Sequence, residues 1–148
     1  MRFLVMNGPN INLLGLREPG IYGSESYADL LQKIEAHAKA IGVETGFFQS
    51  NHEGALVDAI QAARGEYDGI VINPAAYTHT SIAILDALKA VALPAVEVHI
   101  SDVREREEFR RISYAGMACE ASFIGLGFDG YLRGLDFLKE RLASGKKA

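Results

Sequence analysis

Cysteine is nearly absent from this chain: Cys119 stands alone among 148 residues. No intrachain disulfide can form, which fits a reducing compartment, so the expected location is cytoplasmic. Long apolar runs are missing as well. The N-terminal stretch Phe3-Leu4-Val5-Met6 is too short for a signal peptide, and no run approaches a membrane span. Positive charge is not in surplus: 15 Lys and Arg face 19 Asp and Glu, giving a net charge of -4. A nucleic-acid or anionic-membrane surface is therefore not expected. The chain has no G-x-x-x-x-G-K-[ST] phosphate loop and no G-x-S-x-G nucleophile elbow. The lysines at 33, 39, 89, 139, 146 and 147 all fall on expected helices or the tail. None stands at a strand end, so lysine Schiff-base chemistry has no candidate.

What is present is an alternation of strand and helix patterns. A first strand is expected at Phe3 to Met6. Ser26-Tyr-Ala-Asp29 reads as a capped helix start, Leu30, Leu31, Ile34, Ala38 and Ile41 follow at helical spacing, and Gly42 is the stop. Further strands are expected at Val43 to Gln49, Gly69 to Asn73, Ala95 to Ile100 and Ser122 to Leu126. Helices are expected at Glu53 to Ala63, Ser81 to Val91, Arg104 to Arg111 and Gly130 to Leu142. The wholly apolar Gly69-Ile-Val-Ile run suits a central strand covered on both faces. The expected fold is one α/β domain over residues 1–148, with 144–148 a frayed tail. It is a flavodoxin-like, doubly wound, five-stranded parallel sheet of order 2-1-3-4-5, three layers α/β/α.

That topology places a ligand cleft between the carboxyl ends of strands 1 and 3. The longest irregular segment lies there: Asn7 to Gly23, N-G-P-N-I-N-L-L-G-L-R-E-P-G-I-Y-G. A loop of that length at a strand end is more often a lid or binding loop than a connector. Asn7 and Asn10 flank the expected cleft on one side and Asn73 on the other. Glu97 and His99, two apart on strand 4, share one sheet face, so the carboxylate can orient the ring for acid–base work. An ordinary buried structural pair has the same spacing. His79 is read equally well as a contact to substrate hydroxyls or as a capping residue. Thr80 or Ser81 caps the following helix. Taken alone, a loop tyrosine such as Tyr22 is more often a packing residue; as a base at neutral pH it needs its anion stabilised by roughly 4 kcal/mol. The nearby Arg17 can supply that only where water is excluded.

At these residues the chain strongly resembles the type II 3-dehydroquinate dehydratases. The landmarks are N-G-P-N-I-N-L-L-G at 7–15, R-E-P-G-I-Y-G at 17–23, Q-S-N-H-E-G at 49–54, N-P-A-A-Y-T-H-T-S at 73–81, E-V-H-I-S at 97–101 and R-E-E-F-R at 106–110. The resemblance implies cofactor-free anti dehydration of 3-dehydroquinate to 3-dehydroshikimate through an enolate, in aromatic biosynthesis or quinate breakdown. Carried over, Tyr22 is the base and Arg17 holds it anionic. Asn10 stabilises the enolate through a water, and His99 protonates the leaving hydroxyl, oriented by Glu97. Asn73, His79, Ile100, Ser101 and Arg110 hold the substrate, and Asp86 reaches a neighbouring subunit's site. The implied assembly is a homododecamer built from trimers, without metal or cofactor. Three departures stand out: Ala75 where Gly is common, Asp102 where Asn is common, and Arg104-Glu105 in place of more neutral residues. The competing reading is a flavodoxin-like nucleotide or flavin-binding module, which the Pro-containing, Asn-rich first loop suits poorly.

Overall fold

Alternation along β1 decides how the layers are arranged. The computed structural model describes residues 1–16, 20 and 23–145. In β1 (Arg2–Asn7), Phe3 and Val5 point into one apolar cluster, and Leu4 and Met6 point into another on the opposite face. A strand with both faces apolar must be covered on both sides. The helices α1 (Tyr27–Ile41) and α4 (Asp129–Ala143) cover the first face with Leu30, Ile34, Tyr131, Leu135 and Leu138. The helices α2 (Glu53–Ala62) and α3 (Ile82–Val91) cover the second with Leu56, Ile60, Ile84 and Leu88.

The remaining strands are β2 (Glu44–Gln49), β3 (Gly69–Asn73), β4 (Ala95–His99) and β5 (Ala121–Ile124). All pairings are parallel, in the order β2-β1-β3-β4-β5. This is the expected three-layer, doubly wound arrangement. The register sets Asn7 opposite Asn73 at the ends of β1 and β3, where the chain direction across the sheet reverses.

Local signals act as their chemistry requires. Ser26 and Asp29 form a reciprocal capping box at the start of α1, and Gly42 ends it with φ 75°. Ser81, not Thr80, caps α3 through the Ile84 amide. Most other element ends shift by one or two residues from the sequence expectation. The expected helix over Arg104 to Arg111 does not form. Two short 3-10 turns, Val103–Glu105 and Glu108–Arg110, take its place, broken by Arg106 in extended backbone. The Asp102 carboxylate accepts the Arg104 amide and so caps the start of the first turn.

Candidate active site

The site begins where β1 and β3 end side by side. Gly8 donates its amide to the Asn73 carbonyl at 2.8 Å, and a Cβ on Gly8 would collide with the Pro74 carbonyl. Only glycine lets the two crossover segments part at that point. The loop then turns at Asn10, whose φ of 69° lies in the left-handed region that Asn tolerates. Strand β2 pins this loop from the other side. Gln49 Nε2 donates to the Gly8 carbonyl at 3.2 Å, and Asn51 Oδ1 accepts the Asn10 amide at 3.0 Å. The Q-S-N segment therefore shapes the cleft without lining it.

The cleft has a cavity of about 170 Å³. Asn10, Asn73, His79, His99, Ile100, Ser101 and Arg110 line it, which gathers seven of the expected site residues in one place. Pro9, Ile11, Leu14 and Val103 add apolar wall. Arg106 lines it too, a second guanidinium that sequence reasoning passed over in the charged 104–111 run. Arg110 donates through Nε to Glu107 Oε2 at 2.6 Å and lies over the Phe109 ring.

Asn7 does not flank the cleft as expected; it is fully buried beneath it. Its Oδ1 accepts the Tyr131 hydroxyl at 2.6 Å, and that hydroxyl in turn accepts from Asn73 Nδ2 at 2.8 Å. Asn73 Oδ1 takes the Ala75 amide at 3.1 Å. Tyr131 thus fixes the Asn73 amide from below. No local spacing signals this role, because α4 lies far along the chain.

Glu97 and His99 share a face of β4, and both are buried. His99 Nε2 lies 3.0 Å from Glu97 Oε1, but off the in-line hydrogen-bond direction. Burial pushes the Glu97 carboxyl up. Its contacts with His99 and Ser113, and the nearby His79, outweigh that and hold it below the usual carboxylate range. His79 is stacked beside His99 with ring centroids 6.5 Å apart. Its Nδ1 lies 2.8 Å from the Ile112 carbonyl, which can only accept, so Nδ1 carries the proton. Burial pulls the His79 pKa down; His99 and Arg110 lower it further, against the raising pull of that carbonyl and of Glu97. The two rings therefore differ: His79 is held neutral, and His99 stands beside an ionised carboxylate.

Asp86 is exposed on α3, outside the residues lining this cleft. Cys119 is largely covered and donates its thiol to the Ala115 carbonyl. Arg17 and Tyr22 lie outside the described residues. Among the described residues, no cluster of three metal-ligating side chains occurs, and no helix is long and apolar enough to cross a membrane.

Residues 1–139 match the family Dehydroquinase class II. The chain belongs to that family. The 3-dehydroquinate dehydratase of Clostridium acetobutylicum is 51% identical over 143 residues, 97% of this chain and 99% of that protein. The catabolic 3-dehydroquinase 1 of Aspergillus terreus is 56% identical over 128 residues, 86% of this chain and 84% of that protein. The type II dehydroquinase structure from Butyrivibrio crossotus superposes with a TM-score of 0.92 at 50% identity, covering 94% of this chain and 97% of that one.

For a class II dehydroquinase, the departures noted in the sequence now have structural terms. Ala75 has φ 53°, a conformation that glycine adopts more easily. Asp102 and Arg104 compensate each other: Nε and Nη2 of Arg104 each meet the Asp102 carboxylate at 2.8 Å. Nothing supports the nucleotide-module reading. The run Gly125-Leu-Gly-Phe-Asp-Gly130 has G-x-G-x-x-G spacing, but Asp129 puts a carboxylate in the first turn of α4, where a phosphate would sit.

Proposed function

We propose that this class II dehydroquinase converts 3-dehydroquinate to 3-dehydroshikimate by anti elimination of water through an enolate. The observation that carries the reading is His99, backed by a buried carboxylate, on the wall of a cleft that also gathers amide, hydroxyl and guanidinium groups. Elimination next to a ketone needs a base, a place for enolate charge and an acid for the leaving hydroxyl. Tyr22, activated by Arg17, takes the C2 proton, and the electron pair moves onto the carbonyl oxygen. Asn10 supports that oxygen through a bound water. The enolate then collapses, the C1–O bond breaks, and His99 gives its proton to the departing hydroxyl, which leaves as water. Glu97 orients His99 and balances its charge. Asn73, His79, Ile100, Ser101 and Arg110 hold the carboxylate and hydroxyls of the substrate. No cofactor takes part, and the working location is the cytoplasm.

The active form is a homododecamer of trimers in which Asp86 completes a neighbouring site. Its exposure away from its own cleft, and the exposed side chains of Phe109, Ile112 and Met117, support an interface. Light scattering on the eluting protein should return the twelve-subunit mass; a monomer would remove this part of the reading.

The central test is formation of the conjugated enone, followed by absorbance, from 3-dehydroquinate. The parent protein should turn over. Tyr22→Phe and His99→Ala should each lose kcat by at least roughly 100-fold, the usual worth of a positioned acid or base. Borohydride added with substrate should leave activity intact. No turnover by the parent, or full turnover by Tyr22→Phe, refutes the mechanism.

A further inference from the structure

Glu97 is held from behind by groups that lie outside the cleft. Ser113, in the loop before the 3-10 segment Ala115–Ala118, sets its Oγ 2.5 Å from Glu97 Oε2. The same Oγ is 2.7 Å from Thr78 Oγ1 and 3.0 Å from the Gly116 amide nitrogen. The directions of these bonds are forced. An ionised carboxylate can only accept, so the single Ser113 hydroxyl proton goes to Glu97. Ser113 must then accept from Thr78 and from Gly116. Thr78 is fully buried, and a Cβ on Gly116 would collide with Glu97 Oε2. Two segments distant in sequence, the turn carrying Thr78 and the loop carrying Ser113 and Gly116, thus converge behind one carboxylate oxygen, while the other oxygen faces His99.

We propose that Ser113 is a positioning residue for the dehydration. Its hydroxyl, aligned by Thr78 and the Gly116 amide, fixes the Glu97 carboxylate in the rotamer and charge state that serve His99. The inference rests on the assignment of His99 and Glu97 as the acid assembly and adds what holds that assembly in place. The titratable groups that face Glu97 are His99 from its own strand, His79 from the turn after β3 and Cys119 from the loop before β5. Behind the larger pull of His99, Ser113 supplies a hydroxyl donor that adds to what keeps this buried carboxylate ionised.

Ser113→Ala should lower kcat roughly 10- to 100-fold, the worth of a hydrogen bond to a charged group, with KM changed less than about threefold. The acidic limb of its kcat–pH profile should move upward by about one unit, since Glu97 loses the donor that favours its ionised form. Ser113→Thr, which restores the hydroxyl, should recover most of the activity. In a Glu97→Gln background, Ser113→Ala should cost less than about twofold more, because it acts through Glu97. A parental profile for Ser113→Ala, or additive losses in the double variant, overturns the proposal. Where Ser113→Ala does not fold, Thr78→Val reads the same chain of bonds. A smaller kcat loss with the same shift supports the proposal, and an unchanged profile overturns it. A fully active Glu97→Gln would overturn the acid assembly itself, whereas a crippled Glu97→Gln beside a normal Ser113→Ala overturns the role of Ser113 alone.

Discussion

Ala92 closes α3 with φ 55°, and it is exposed to solvent. A left-handed residue with a Cβ costs about 1–2 kcal/mol. Glycine relieves that cost but gives back part of it through the freer unfolded chain. Ala92→Gly should therefore raise stability by about 0.5–1 kcal/mol, read as a rise of roughly 1–4 °C in Tm by calorimetry. Ala75 shares the conformation but packs partly against the core, so the same exchange there forfeits packing as well. At this scale the sequence was informative wherever a residue's neighbours are local. Glu97 and His99 are two apart on one strand, and their shared face followed from strand periodicity alone. Ser113 and Tyr131 were invisible, since their partners are 16 and 58 or more positions away and no spacing rule reaches that far.

Among the elements, α1 shows how a capping signal translates into energy. Ser26 Oγ accepts the Asp29 amide at 3.1 Å, and the Asp29 carboxylate returns to the Ser26 amide at 2.8 Å. Ser26→Ala should cost about 1 kcal/mol, measured by urea unfolding, with the slope of the transition unchanged. The pattern Ser-x-x-Asp before an apolar stripe made this helix start legible. The segment after β4 was misread. Its charges recur in a way that suits a helix, but Arg106 takes up extended backbone and ends the first turn after three residues. The result places Val103, Arg106 and Arg110 on the cleft wall, which a regular helix would have arranged differently.

For the whole molecule, stability should trace a dome against pH. Glu97 has a folded pKa below its ordinary value, so its contribution is present above that value and lost as pH falls through the folded one. His79 is depressed too, and its unfolded form begins to take up protons below about pH 6.5. On the alkaline side, burial raises Cys119 and Tyr131, so their contributions are complete below the ordinary thiol and phenol values and fade as pH rises past them. Urea midpoints should hold level between about pH 6.5 and 8.5 and fall on both sides. Cys119→Ala should delay the alkaline fall; an unaltered alkaline limb would show that Cys119 does not set it. The sheet order and the position of the cleft were readable in advance because strand–helix alternation restricts the topologies open to a chain. The support beneath the cleft was not, because it comes from the opposite end of the chain. The bond from Tyr131 to Asn7 spans 124 positions. A polypeptide still emerging from the ribosome carries every residue of the cleft wall before it carries the tyrosine that sets Asn73. The pocket can therefore take its working shape only after α4 has been made and has docked.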